Sequence, residues 1–327
     1  MSKQLAINKK LNNISVSVSP FVELLAVIYT LSNFGLNATR KNGKYLEDIN
    51  NFFNKFKSHK AIKKFKELLQ INSFKYDAPV ELILNIETDS IPSEELLSRA
   101  NLTIEKYNLL KEDILNFYKE SNFEKFYVDN TKLYQNNIDT FISTIKSYSP
   151  DKYLFDFLNL STTNLNIVLM HGVTTSNYGL NIDNTLHCMV RPYKLSRFNN
   201  MDFAFDLPYI TSLILHEFGH SFINPLTDKY LEDDRINKTK LKTIMENHSY
   251  GDHYKTAINE TIIRAIECNY IKNMFPNNYI TFKQDYIEEG FDLIDELLEF
   301  YNKYTNDKKE TETIEDYYKK LLEIFYK

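Results

Sequence analysis

The 327-residue sequence is short of cysteine, glycine and proline, and each shortage excludes a class of protein. The two cysteines, Cys188 and Cys268, are too few for a disulfide scaffold, and they are too far apart for the close Cys pairs of a zinc ribbon. Each lies in an apolar stretch, which predicts a buried free thiol. With only 7 Gly and 8 Pro, the chain has few residues that favour tight turns, as is typical of a mostly helical protein.

The sequence also lacks a long apolar segment and a concentrated basic face. The best candidate for a membrane span, residues 21–34, is too short and carries Glu23, so we expect no transmembrane segment. The net charge of -5 is mild and charges of both signs are interspersed, so we expect no nucleic-acid partner. The basic start, MSKQLAINKK, is followed by neither an uninterrupted apolar stretch nor a cleavage site. The chain as written is therefore expected to be cytoplasmic; a chain trimmed of an export signal would look the same.

The hydrophobic pattern predicts an α+β protein that is predominantly α-helical. Hydrophobic residues make up 43% of the chain, enough for a packed core. Segment 17–35 is expected to start extended and then become a helix that ends before Gly35, and two short strands are expected at 166–171 and 185–190. Helices are expected at about 45–70, 93–120, 130–147, 207–223, 228–248, 252–274, 283–304 and 311–326. The pattern predicts a mostly helical region 1–150, then a small β-sheet and a C-terminal helical bundle within 151–327.

One motif carries chemistry, the segment His216-Glu217-Phe218-Gly219-His220. Residues four apart lie on one face of a helix, so both histidines can bind one zinc ion. Glu217 is displaced by about 100° around the helix axis. Its carboxylate can flank the metal without binding it, as a general base requires.

The sequence around the motif predicts a buried helix. Asp206 is a good N-cap and Pro208 suits the first turn, whereas Pro225 is expected to end the helix. Apolar residues between them point nearly all round the axis, which is typical of a helix buried on every side. Buried His and Glu side chains need partners, and a metal ion satisfies all three of the motif together.

A third protein ligand is needed to leave one open position on the zinc. A histidine six residues after His220 is excluded, because that position is Leu226. Glu260 is our choice, since small residues beside it would let its helix approach another closely. A solvated ion pair between Glu260 and Arg264 is the simpler alternative. Weaker candidates for the third ligand are Glu267, His248 and His253.

HEFGH followed by Asn259-Glu260 on a later helix resembles the gluzincin metallopeptidases. More closely, the chain is similar to a bacterial family of uncharacterised peptidases with an HEF-x-H-S-F motif followed by Asn-Pro. The resemblance extends over about residues 17–270, with short matches at 19–25, 76–79 and 177–179. It implies a zincin-like catalytic domain at 151–327 in which His216, His220 and Glu260 bind Zn²⁺ and Glu217 is the base. Gluzincins often carry Asp four residues after the ligand Glu, where this chain has Arg264.

The sequence therefore predicts a zinc metallopeptidase that hydrolyses peptide bonds in a peptide or protein substrate. The alternative is a metal-bound, catalytically idle protein-interaction module. A donor to the developing oxyanion is also needed, and the candidates are Tyr178, His187, His253, Tyr254 and Arg264. If the strand at 185–190 lies at a sheet edge, an extended substrate could pair with it.

Overall fold

The computed structural model of the chain describes residues 5–34, 44–148, 150–158, 164–173, 175–192, 194–195, 201–202, 206–307 and 314–326. The chain folds into two compact units. Unit 1 comprises Met1–Lys146 and Asn164–Phe205, and unit 2 comprises Ser147–Thr163 and Asp206–Lys327. The predicted boundary at residue 150 differs from this division, because the strands that follow it complete the sheet of unit 1.

The sheet of unit 1 has five strands in the order β1-β2-β3-β5-β4. Strands β2, β3 and β5 run parallel, whereas β1 and β4 pair antiparallel at the two edges. The five strands are β1 (Ile7–Leu11), β2 (Ile14–Val18), β3 (Asn164–Leu169), β4 (Tyr178–Ile182) and β5 (Thr185–Val190), and a separate small hairpin joins β6 (Lys194–Leu195) to β7 (Met201–Asp202).

Helices make up most of unit 1 beside the sheet. Helix α1 starts where Ser19 Oγ accepts a hydrogen bond from Val22 N at 3.0 Å, and it ends at Asn33 in the left-handed conformation. The predicted stop at Gly35 lies outside the described residues. The helices of unit 1 are α1 (Pro20–Ser32), α2 (Lys44–Phe53), α3 (Lys60–Leu68), α4 (Ala78–Thr88), α5 (Glu94–Arg99), α6 (Ile104–Glu120), α7 (Phe123–Asp129) and α8 (Thr131–Ile145).

Among the described residues of unit 2, all regular secondary structure is helical. The long helices α10 and α12 pack against each other, and α12 also packs against α13 and α14. The helices are α9 (Pro150–Leu158), α10 (Leu207–Tyr230), α11 (Lys242–Asn247), α12 (Tyr254–Met274), α13 (Pro276–Glu288), α14 (Ile294–Asp307) and α15 (Ile314–Tyr326). No helix among the residues described above is long and apolar enough to cross a membrane.

The fold class is confirmed, since a small mixed sheet accompanies a mostly helical chain. Several local predictions were wrong. The predicted helices 45–70, 93–120 and 283–304 are each interrupted, and they form α2 and α3, α5 and α6, and α13 and α14. Helix α10 does not end before Pro225 but continues to Tyr230, because the buried Thr227 anchors the last turn by hydrogen bonds to Asn259 and to Tyr318 Oη. The predicted helix at 228–248 is instead a loop followed by the short α11. The segment 178–182, which lies between the two predicted strands, forms β4, a strand that the pattern did not predict.

Candidate metal centre

Helix α10 carries both histidines of the motif on one face. Asp206 caps it by accepting a hydrogen bond from Tyr209 N at 3.3 Å, as the sequence predicted. His216 and Glu217 are buried, and the His220 side chain is 21% exposed. The Nε2 atoms of His216 and His220 lie 3.0 Å apart. The helix therefore directs two imidazole nitrogens at one point.

Helix α12 brings Glu260 to the same point. Glu260 Oε1 lies 3.4 Å from His220 Nε2, and Oε2 lies 3.6 Å from His216 Nε2. The small residues predicted to allow this approach, Ala257 and Ala265, are buried along α12. The Glu260 side chain is 17% exposed and its ion pair with Arg264 spans 3.8 Å, so it is not the solvated pair of the simpler alternative.

The three donor groups fit a tetrahedral zinc ion. Bonds of about 2.0–2.1 Å at tetrahedral angles place neighbouring donors about 3.3 Å apart. The separations given above are 3.0, 3.4 and 3.6 Å, the last two to different oxygens of the Glu260 carboxylate. With one ligand atom from each residue, the three atoms lie within 4.8 Å of one another. When both imidazoles carry their protons on Nδ1, their Nε2 lone pairs face each other and repel, and a cation between them removes that repulsion. Two nitrogens and one carboxylate are also the ligand types that zinc prefers.

The charges around the site fit a divalent cation as well. Three carboxylates, those of Glu217, Glu260 and Glu267, lie close to a single guanidinium, that of Arg264. Once both histidines lose their protons, as metal binding requires, the group carries about two negative charges in excess. Within the described part of the chain, His216, His220 and Glu260 form the one group of at least three such side chains positioned to hold a metal ion.

These neighbouring charges shift the pKa values of Glu260, His220 and Glu217. Burial raises the pKa of Glu260, but hydrogen bonding to His220 and the positive charges of His216, His220 and Arg264 bring it down to about 2. Burial lowers the pKa of His220, but the hydrogen bond to Glu260 and its charge raise it to about 9. Burial raises the pKa of Glu217, and the charge of Glu260 raises it further. The Glu217 carboxyl is therefore a stronger base than an exposed carboxylate.

Glu267 lies behind His216 rather than beside the other two donors. Its Oε1 atom is 3.5 Å from His216 Nδ1, on the side of the ring that faces away from Glu260. Its Oε1 accepts a hydrogen bond from Ser212 Oγ, and its Oε2 accepts hydrogen bonds from Tyr286 Oη and Arg264 Nη1. Burial raises the pKa of Glu267, but the charges of Arg264 and His216 bring it below the ordinary value. Glu267 therefore lies outside the group of three side chains positioned to hold a metal ion.

The other candidates of unit 2 are dispersed. Arg264 joins the site by bridging Glu260 and Glu267. His253 is exposed at the start of α12, and Tyr254 lies under Lys238 Nζ, 5.0 Å from its ring centroid. His248 stacks on Tyr250 instead. The structure thus brings Arg264 to the cluster and places these two histidines and Tyr254 in other surroundings.

Tyr178 and His187 belong to unit 1, and their part in the chemistry stays a prediction. Tyr178 Oη shares a hydrogen bond with Thr175 Oγ1 at 2.8 Å. His187 Nδ1 lies 3.3 Å from Asn166 Nδ2, and burial lowers the pKa of His187 to about 4. The idea that a substrate strand pairs with β5 was wrong, because β5 is already paired with β3 on one side and with β4 on the other.

Sequence reasoning missed two residues around the site, Ser212 and Tyr250, and it considered Glu267 only as a weaker candidate for the third ligand. Glu267 follows Glu260 by two helical turns, and Ser212 precedes His216 by one turn, so helical spacing alone could have placed both beside the ligands. Tyr250 lies in the loop before α12. Burial raises its pKa to about 12, and the charge of Glu260 contributes to that increase. No spacing rule points to Tyr250, because it is not on a helix of the site.

Comparison with known proteins gives a family but no named relative. No curated protein and no solved structure matches the chain. The model of one family, described as a domain of unknown function (DUF4932), matches residues 4–324. Since this match extends over nearly the whole sequence, the chain belongs to the DUF4932 family.

Proposed function

We propose that this protein is a zinc-dependent metallopeptidase of the gluzincin type. The observation that carries the proposal is the convergence of His216 Nε2, His220 Nε2 and the Glu260 carboxylate at separations of 3.0–3.6 Å, with Glu217 on the same helix. Three protein ligands leave one position open, which is typical of catalytic rather than structural zinc sites. A structural site would use a fourth side chain instead.

In this proposal each residue of the site has a separate role. His216, His220 and Glu260 would hold the zinc ion, which supplies Lewis acidity that polarises a carbonyl and lowers the pKa of bound water towards about 7. Glu217 is the proton carrier. Its burial raises the pKa of its carboxyl, so the group accepts a proton from water readily and can return it to the leaving amine. Arg264 sits beside the carboxylates and limits their mutual repulsion.

The first test is metal content. Protein purified without metal-chelate resin is analysed by elemental mass spectrometry as wild type, Glu260→Ala and Glu288→Ala, the last being an exposed glutamate of α13. We expect about one zinc per chain in the wild type and in Glu288→Ala, and a large loss in Glu260→Ala. Folded wild-type protein that takes up no supplied zinc would refute the proposal.

The second test separates an enzyme from a metal-bound interaction module. Zinc-loaded wild type and Glu217→Gln are incubated with a library of quenched fluorescent peptides. We expect the variant to keep its zinc and to cleave about 10²–10⁴-fold more slowly, because the general base is lost. Equal non-zero rates would remove Glu217 from the chemistry, and no cleavage by a zinc-loaded wild type would favour the interaction module.

A further inference from the structure

The two ring nitrogens of His216 have different surroundings. Nε2 faces His220 and Glu260, whereas Nδ1 is buried and makes no hydrogen bond of ordinary length. The group beside Nδ1 is Glu267 Oε1, 3.5 Å away. A buried ring nitrogen is costly without a partner, and the partner of one nitrogen decides which nitrogen carries the proton.

Glu267 is built to receive one more donor. Its side chain is 1% exposed, and Ser212 Oγ donates to Oε1 at 2.8 Å. On the other oxygen, Tyr286 Oη donates to Oε2 at 2.8 Å and Arg264 Nη1 at 3.2 Å. An ionised carboxylate accepts only, and it has about four acceptor positions, of which these contacts use three. The fourth is on Oε1, next to His216 Nδ1.

We infer that Glu267 is the positioning residue of the metal site, which accepts the Nδ1 proton of His216 and so directs the Nε2 lone pair at the metal. The inference rests on the proposed function, because it concerns the same zinc site. Carboxylates that accept from the outer nitrogen of a metal-binding histidine fix its tautomer and orient its ring. Glu267 gives this support to His216 from a neighbouring helix.

Arg264 connects this support to the third ligand. Its Nη1 contacts Glu267 Oε2 at 3.2 Å, and its Nη2 lies 3.8 Å from Glu260 Oε2. The guanidinium also lies over the ring of Tyr286, 4.8 Å from the centroid, which restricts its rotation. The guanidinium of Arg264 thus holds the carboxylates of Glu260 and Glu267 in fixed positions relative to each other along α12.

The second histidine lacks an equivalent partner. His220 Nδ1 lies 3.3 Å from Asn224 Oδ1, an amide oxygen on a half-buried side chain. A neutral amide binds an imidazole N–H less strongly than a buried carboxylate does. We therefore expect the metal affinity to depend more on Glu267 than on Asn224.

The experiment measures zinc affinity by competition with a chromophoric chelator. The proteins are wild type, Glu267→Ala, Glu267→Gln, Asn224→Ala and the matched control Asn269→Ala, which removes a buried polar group of α12 whose hydrogen bond goes to Tyr153. We expect Glu267→Ala to bind zinc about 10–100-fold more weakly and Asn224→Ala to lose less. Asn269→Ala should keep the wild-type affinity even if it unfolds at a lower temperature. Glu267→Gln keeps the side-chain volume, so it gives the same test if the alanine variant does not fold.

A second measurement reports which ring nitrogen of His216 is protonated and does not depend on the stability of the fold. In zinc-loaded wild-type protein labelled with ¹⁵N-histidine, long-range ¹H–¹⁵N spectra should show His216 protonated at Nδ1. Protonation at Nε2, or affinities of both Glu267 variants within about twofold of wild type, overturns the inference while leaving the zinc site intact. A wild type that binds no zinc is a different result: it overturns the proposed function, and the inference with it.

Discussion

His171 in unit 1 and His216 in unit 2 are both buried beside a glutamate, and the two clusters differ in what surrounds the pair. In unit 1, Glu23 Oε1 lies 3.4 Å from His171 Nδ1 and accepts a hydrogen bond from the His171 backbone N–H at 2.8 Å. Tyr45 Oη donates to Glu23 Oε2, and Asn137 Nδ2 lies 2.9 Å from His171 Nε2. The side chains of His171 and Glu23 are 0% and 1% exposed.

In unit 2 the polar atoms converge on each other instead. His216 Nε2 faces the Nε2 atom of His220 and a carboxylate oxygen of Glu260, and these two partners remain partly exposed. Buried polar groups whose hydrogen-bond partners are other atoms of the protein are typical of a protein core. Donors that converge around one point, with carboxylates in excess, are typical of a ligand site. The comparison therefore supports a role in stability for the first cluster and agrees with the proposed metal binding by the second.

The largest expected effect comes from breaking the cluster of unit 1. Glu23→Ala leaves the His171 backbone N–H and the Tyr45 hydroxyl without their acceptor in a sealed environment. We expect the free energy of unfolding to fall by about 3–5 kcal/mol, measured by urea denaturation, with zinc affinity unchanged. Glu47→Ala, which removes an exposed glutamate of α2, is the control and should change stability by less than about 0.5 kcal/mol. A small effect at Glu23 would mean that solvent reaches this cluster.

The corresponding change in unit 2 should act through the metal. Zinc at 100 times its dissociation constant stabilises a wild-type protein by about 2.7 kcal/mol. We expect Glu260→Gln to lose most of this zinc-dependent stabilisation, because a neutral amide replaces a charged ligand. The measurement is the melting temperature with and without zinc, and Glu288→Gln is the control. Equal zinc-dependent shifts in wild type and Glu260→Gln would remove Glu260 from the site.

The comparison also shows which features of the site the sequence could predict. Local rules sufficed for the start of α10 and for the placement of its two histidines, because Asp206, Pro208 and the spacing of His216 and His220 all act within a few residues. The strand at 185–190 has the bounds that its apolar pattern predicted. Glu260 lies next to both histidines, where a stripe of small residues and the resemblance had placed it.

Contacts between residues far apart in the sequence could not be predicted by such local rules. Strand β2 pairs in parallel with β3, about 150 residues later, and no local pattern identifies such a partner. Helix α10 continues through Pro225 because tertiary hydrogen bonds at Thr227 outweigh the local preference of proline. The support of His216 by Glu267 was missed for a related reason, since it depends on how α10 and α12 pack.

The carboxyl of Glu87 in unit 1 is paired with a hydroxyl, and it extends the comparison to the dependence of stability on pH. Ser19 Oγ donates to Glu87 Oε2 at 2.6 Å, and burial raises the pKa of Glu87 from 4.5 to about 7, although Ser19 lowers it. Between pH 4.5 and about 7 the folded state keeps this proton while the unfolded state loses it. This group therefore makes stability fall as pH rises through that window, and the loss persists above it.

Glu87→Gln should remove that fall. We expect the variant to be more stable than wild type by about 1–3 kcal/mol at pH 8, and nearly equal in stability at pH 4. Urea denaturation across this pH range measures the difference. Glu112→Gln, at an exposed position of α6, should keep the wild-type slope. If Glu87→Gln kept the same slope, other groups would have to account for it.

The smallest expected effect tests the outer partner of His216 by removing one of its donors. Ser212→Ala deletes the hydroxyl that donates to Glu267 Oε1 at 2.8 Å. Loss of one buried hydrogen bond to a charged group costs about 1–2 kcal/mol. Because the freed Oε1 atom also faces His216 Nδ1, part of this loss should appear as a zinc affinity about two- to fivefold lower.

Ser143→Ala, at an exposed position of α8, is the control and should change neither the stability nor the zinc affinity. A drop in stability with no change in affinity would show that Arg264 and Tyr286 alone suffice to hold Glu267 in place, and that the hydroxyl serves only the packing of α10 against α12.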